Sequence, residues 1–392
     1  MKGPLAVLAL LPIQCLAQYS LVRDYSGSGF FDEWNFFGNA DNLTSGDSFY
    51  LDRSAAASQK LAFVNDAGNA VIRVDNFTNV ALNEKRNSIR VESKDLYDVG
   101  SLWIIDAVHI PFGCSVWPAF WSKGDNWPFG GEIDIIEGIN RLSRNQIALH
   151  TVRGCTKFDA PGEQIGQTLG KDCSIGAGCV TAESKQNSYG QAFADNGGGV
   201  FATQFDTSGV YVWYWPRSAI PASIRSAGKS NMTLADWGLP TAAYPSNSCD
   251  IPKFFTAQRL VLNIALCGVW AGVPNIYKST CGDGICYNDN VVGPGSPRYD
   301  NAYFEIPYIR TYTATAAPAN APTSTSTSTV IVTQSATLAS NAQSSPTLAN
   351  SNSAATADPQ PGGVATSSAS RLYTPHLHAA LLHLLAFCLA FF

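Results

Sequence analysis

Between Tyr19 and Tyr312 the apolar residues come in short runs or alternate with polar ones, and clusters of Gly, Pro, Asn, Asp and Ser separate them. Almost nowhere does a 3.6-residue period persist. Segments 70–74, 102–107, 210–215 and 260–266 are rich in β-branched and aromatic residues and bounded by turn formers, as strands are. Many such strands within 18–312 predict one all-β domain, a two-sheet sandwich or a barrel. A sandwich that holds ligand on a concave face would suit the many aromatic residues.

The pattern stops after Tyr312. Segment 313–370 is dominated by Thr, Ser, Ala and Pro, which bury too little apolar surface to offset chain entropy, so a disordered, O-glycosylated stalk is expected. Residues 1–17 join Lys2 to the apolar run 5–11 and a small-residue end at Ala17, the form of a secretory signal peptide. The apolar tail 379–392 is shorter than the roughly 20 residues that span a bilayer. Segment 371–392 therefore reads as a removable GPI-anchor signal behind the small residues 367–369, with Gly362 and Gly363 as another attachment region. A spanning tail helix is the alternative. The expected location is the cell surface, anchored to the plasma membrane or cell wall.

Charge and cysteines narrow the picture. The net charge of -5 leaves no basic stripe to neutralise phosphates, which excludes nucleic acid as an expected partner. Of ten cysteines, Cys15 falls in the signal segment and Cys388 in the tail; the other eight suggest up to four disulfides in an oxidising compartment, with the pairing open. The spacings of Cys173 to Cys179 and Cys281 to Cys286 do not fit a zinc ribbon. Sequons at Asn42, Asn76 and Asn231 agree with secretion and N-glycosylation.

The candidate chemistry sits in GGEIDIIEG, residues 130–138. On a strand, Glu132 and Asp134 share a face while Ile133 and Ile135 share the other. Glu137 lies five residues from Glu132, which on a regular strand puts it on the wrong side. One extra residue absorbed as a β-bulge near Ile135 and Ile136 restores the parity. Three ionised carboxyls on one face repel one another unless one keeps a proton or a cation binds, a cost that argues for function over a solvated acidic edge. Retaining glycosidases use two carboxyl groups about 5–5.5 Å apart, one as nucleophile and one as acid and then base. Asp134, between the two, would help set which of them holds the proton.

Together with 117–121 (WPAFW), 127–128 (WP), 147–151 (IALHT), 213–217 (WYWPR), 262–265 (LNIA) and Trp270, this segment resembles glycoside hydrolase family 16, in its laminarinase-like branch of endo-1,3(4)-β-glucanases. The resemblance covers most of the chain. It implies a concanavalin A-like jelly-roll β-sandwich with an open concave cleft, Glu132 as nucleophile, Glu137 as acid/base, Asp134 as their assistant, and retention of configuration. A cross-linking branch of that family has the shorter Glu-x-Asp-x-Glu form, so the longer form here favours hydrolysis over transglycosylation.

Around the acids, Trp117, Trp121 and Trp127 are candidate platforms for glucosyl rings, one or two of them lining the cleft and Trp127 foremost; the rest would be core. Trp270, between Gly268 and Gly272, is a loop candidate with a core alternative. In laminarinase-like relatives a histidine in the context of His150 contacts sugar; the alternative is a satisfied strand histidine. Asn263 interrupts an apolar strand and needs a partner for its amide, which backbone would satisfy as well as glucan. No convincing calcium loop, metal site or cofactor site is read from the sequence, and a monomer is expected. The functional expectation is retaining endo-hydrolysis of β-1,3 or mixed β-1,3/1,4-glucan at a fungal-type cell surface. The rivals are a wall-glucan transglycosylase and a non-catalytic glucan-binding wall protein.

Overall fold

The alternation of the sequence folds into two large antiparallel sheets packed face to face as a jelly-roll β-sandwich. The computed structural model describes residues 18–159, 162–227 and 231–315; the expected signal peptide, nearly all of the stalk, the anchor signal, Cys15 and Cys388 lie outside these residues. One sheet has the strand order Gln167–Thr168, Cys179–Ala182, Gln146–His150, Glu132–Glu137, Val116–Gly124, Gln258–Leu266, Arg90–Ser93 and Trp34–Phe36. The other runs Met232–Thr233, Gln18–Ser26, Tyr308–Ala314, Ser101–Ala107, Gly199–Asp206, Gly209–Pro216 and Ala242–Pro245.

Side chains that alternate inward from both sheets fill one core. Ile133, Ile147, Leu149, Phe120, Leu262 and Ile264 meet Trp103, Ile105, Phe201, Phe205, Val212 and Tyr214 across the interface, all buried. Each strand expected from the sequence is present, as Ala70–Arg73, Ser101–Ala107, Gly209–Pro216 and Gln258–Leu266. The last strand reaches Ala314, two residues past the expected domain end, because Thr313 pairs with both Ser20 and Ser101 and the Thr315 N–H donates to the Gln18 carbonyl. Helices among the described residues are short, the longest α-helix being the eight residues Pro274–Cys281, too brief to impose a 3.6 period on the sequence.

All eight cysteines of the domain pair, as Cys114–Cys281, Cys155–Cys249, Cys173–Cys179 and Cys267–Cys286. Three of these bridges tie loops that extend from strand ends; the fourth closes a loop of six residues' separation just ahead of the Cys179–Ala182 strand. Of the sequons, Asn42 and Asn231 are exposed and Asn76 is half-buried, its amide donating to Asp300 at 2.7 Å.

Candidate active site

The curled eight-stranded sheet turns its second face away from the core, and that face carries the acids. On one side of the Glu132–Glu137 strand, Glu132 pairs with Lys123, Asp134 with Trp121, Ile136 with Phe120 and Glu137 with Ala119, which leaves Ile135 without a counterpart. On the other side Asp134 opposes Ala148 and Glu137 opposes Gln146, again with a shift in register. This is the bulge that the spacing of the acids requires. Ile133, Ile135 and Ile136 all go into the core, and Glu132, Asp134 and Glu137 share the opposite face.

A bulge strands backbone groups that a regular ladder would satisfy. Here the side chain of Asn145, fully buried, takes both: its amide donates to the Ile135 carbonyl at 2.8 Å and its oxygen accepts from the Glu137 N–H at 2.9 Å. Its own N–H is held by the Ser188 hydroxyl. Sequence reasoning missed Asn145, which stands just before the Gln146–His150 strand with no motif to mark it. At the start of the strand, Gly131 has φ +72, and a Cβ there would collide with the Phe255 ring and come within 2.9 Å of the Phe254 carbonyl. The pair Gly130 and Gly131 thus lets the chain turn tightly into Glu132.

Each outer carboxylate has an indole. Trp117 Nε1 donates to Glu137 at 2.9 Å, and Trp127 Nε1 donates to Glu132. Trp127 rides on the loop before the strand and is 52% exposed, whereas Trp117 packs edge-to-face on Trp270 with ring centres 5.4 Å apart. Trp121 lies on the same face but is buried, its indole N–H on Asn263 at 2.7 Å. Asn263 is therefore satisfied by a side chain, an outcome that the sequence left open. Beyond Trp121 the floor is charged: Arg90 meets Glu92 at 2.6 Å and Asn42 at 3.1 Å, and Lys123 meets Glu92 at 3.4 Å. These residues were also missed, although the alternation Arg90-x-Glu92 places both on one face.

His150 stands opposite Glu132 in the ladder, with Nε2 3.2 Å from Asp134 Oδ2. The contact is an ion pair more than an aligned hydrogen bond, since no donor of good geometry reaches that buried oxygen among the described residues. Ligand atoms of Glu132, Asp134 and His150 lie within 4.8 Å of one another, so the cluster is dense enough to concentrate charge strongly. Burial pushes the carboxyls of Glu132 and Glu137 up to about 8, and the charge of Asp134 adds to it. Burial alone would lower the imidazole of His150, but Asp134, then Glu132 and Glu137, outweigh it and hold the ring up to about 9. Both glutamates and the ring therefore hold their protons more tightly than the free side chains do.

The comparisons with known proteins point the same way. The family model described as "XgeA-like, catalytic GH16 domain" matches residues 34–312. A protein of Aspergillus fumigatus named probable endo-1,3(4)-β-glucanase is 36% identical over 304 residues, covering 75% of this chain and 45% of that protein, so the chain spans about half of its length. Among solved structures, laminarinase 16A of Phanerochaete chrysosporium, with two β-glucans (6-O-glucosyl-laminaritriose) in its donor and acceptor sites, superposes with a TM-score of 0.71 at 32% identity; 76% of this chain and all of that one are covered. An elongating family 16 β-1,3-glucosyltransferase superposes with a TM-score of 0.69 at 37% identity, covering 75% and 100%.

Proposed function

This chain belongs to glycoside hydrolase family 16, and on that premise we propose that it hydrolyses β-1,3 or mixed β-1,3/1,4-glucan internally, with retention of configuration. The single observation that carries the reading is the bulge at Ile135, which puts Glu132 and Glu137 on one sheet face about a buried Asp134. Glu132 attacks the anomeric carbon as a carboxylate while Glu137 gives its proton to the departing glycosidic oxygen. A glycosyl ester on Glu132 forms as the glycosidic bond breaks. Glu137, now ionised, takes a proton from water, whose oxygen adds to the anomeric carbon and releases Glu132.

This assignment needs Glu132 ionised and Glu137 protonated. The protonated ring of His150 is the cross-strand neighbour of Glu132, and it favours the charged form of that carboxyl over its more distant partner. When the pair carries one proton, this bias leaves it on Glu137. Trp127 and Trp270, at the two ends of the acid row, offer ring faces for glucosyl units.

Transfer to a sugar acceptor is the second reading, favoured by the likeness to the elongating glucosyltransferase. Laminarin and lichenan digests with the parent and with Glu132→Gln and Glu137→Gln test both. Loss of reducing-sugar release in the two variants supports the assignment, and undiminished activity in both ends it. Products longer than a starting oligosaccharide would make transfer the main reaction. The display of the enzyme at the cell surface through a lipid anchor rests on the sequence alone; release from intact cells by a phospholipase specific for such anchors tests it.

A further inference from the structure

We propose that the loop closed by Cys173–Cys179 is a positioning element for the carboxylate cluster, acting through Gly178 on the His150 ring. The inference rests on the proposed roles of the acids and goes beyond them, because no residue of this loop belongs to the acid row.

Three features support it. First, the loop is pinned to the strand that carries His150 on both sides of that residue. Cys179 opposes Leu149 in the ladder, and the Thr151 N–H donates to the Cys173 carbonyl at 2.9 Å. The disulfide joins these two anchor points, and both cysteines are fully buried. Second, the backbone at Gly178 lies directly against the imidazole. A Cβ there would come within 2.8 Å of His150 Cε1, 2.9 Å of Nε2 and 2.6 Å of the Leu149 carbonyl, and the residue has φ +69. Only glycine lets the chain pass that close. Third, the ring edge that meets Gly178 is the edge that faces Asp134 across 3.2 Å. Gly178 and the buried carboxylate thus converge on the Nε2 edge, and a Cβ added at Gly178 would displace that edge from Asp134. The segment 174–178 reads SIGAG and carries no ionisable group, so its influence is steric, and the charged groups that face the ring are Glu132, Asp134 and Glu137.

A small displacement of a group that orients reacting carboxyls lowers turnover far more than binding. In the full-length protein, Gly178→Ala is therefore expected to lower kcat by ~10- to 100-fold on laminarin while KM changes by less than about twofold. In a His150→Ala background the same substitution should cost nothing further in kcat, since its target is gone. The double variant Cys173→Ala/Cys179→Ala, which loosens the loop without adding a Cβ at Gly178, should lower kcat in the parent and be silent in the His150→Ala background; it decides the matter if Gly178→Ala does not fold. Equal losses in both backgrounds would show a general structural role and overturn the proposal, as would an unchanged kcat. Glu132→Gln and Glu137→Gln assayed alongside separate the two readings. Activity surviving in those variants defeats the catalytic assignment, whereas their loss together with additive Gly178 effects defeats only the positioning role.

Discussion

The two sheets of the sandwich share one core, and their outer faces have opposite fates. On the seven-stranded sheet, Leu102, Ile104, Val200, Trp213 and Trp215 point outward and are covered by a segment that includes the Ala222–Ala227 helix, Met232 and Trp237. Trp213 and Trp215 stack at 6.5 Å, and Trp237 crosses both edge-on. On the eight-stranded sheet the outward positions include Glu132, Asp134, Glu137, Lys123, Glu92 and Arg90, ionisable residues that the core could not accept. Covered aromatic residues add stability; a row of carboxyls that lowers it by mutual repulsion needs another reason to be there. Tryptophan alone does not tell the faces apart. Trp121 is as buried as Trp213, yet its indole N–H goes to a side chain of the acid face, while that of Trp213 goes to the Gly238 carbonyl of its covering segment.

The widest separation between the faces should appear in activity. Glu132→Gln and Glu137→Gln are each expected to lower kcat by at least about 10³-fold on laminarin, with the melting temperature held or raised because a buried ionisable group beside Asp134 becomes a neutral amide. On the covered face, Trp213→Ala should do the reverse: turnover per folded molecule unchanged, and stability reduced by about 3–5 kcal/mol in chemical denaturation, as expected for a large buried aromatic. A Trp213 variant that stays stable but loses turnover would break the division.

Much of the acid face was legible in the sequence because parity is a strict rule. Glu132 and Glu137 cannot share a face without an extra residue, and the ladder shows Ile135 to be that residue. The strands were legible for a different reason, 210–215 and 260–266 being short runs of apolar, β-branched and aromatic residues bounded by turn formers. What was not legible is whatever depends on contacts far along the chain. Trp213 and Trp215 look in sequence like the tryptophans of the acid face, and only the cover that includes Ile224, Met232 and Trp237 distinguishes them. The pairing of Cys114 with Cys281 spans 167 residues and leaves no local trace. Asn145 works by meeting two backbone groups that only the bulge exposes.

Asn145 therefore gives a sharper test of how the acid face is held. Asn145→Ala leaves the Ile135 carbonyl and the Glu137 N–H buried without partners, at a cost of about 1–3 kcal/mol for each. The expected result is a loss of stability of the same order as that of Trp213→Ala, with an approximately tenfold or greater fall in kcat that Trp213→Ala does not share. Asn145→Asp keeps an acceptor for Glu137 and should recover part of the turnover. Stability lost with kcat intact would show that the bulge holds its shape without the amide.

The smallest expected effect concerns the indole on Glu137. Burial first, and the charge of Asp134 second, hold that carboxyl up to about 8, while the N–H from Trp117 works against them by favouring the ionised form. The proton of Glu137 is needed for departure of the leaving group, so kcat/KM should fall as pH rises through about 8. Trp117→Phe keeps the ring near Trp270 and removes the donor. The ionised form loses its hydrogen bond, the proton is held more tightly, and the alkaline limb moves to higher pH. A hydrogen bond worth about 1 kcal/mol sets the shift at a little under one pH unit. A limb that moves to lower pH would mean that the proton lost there belongs to another group, and Glu137 would lose its place as the acid.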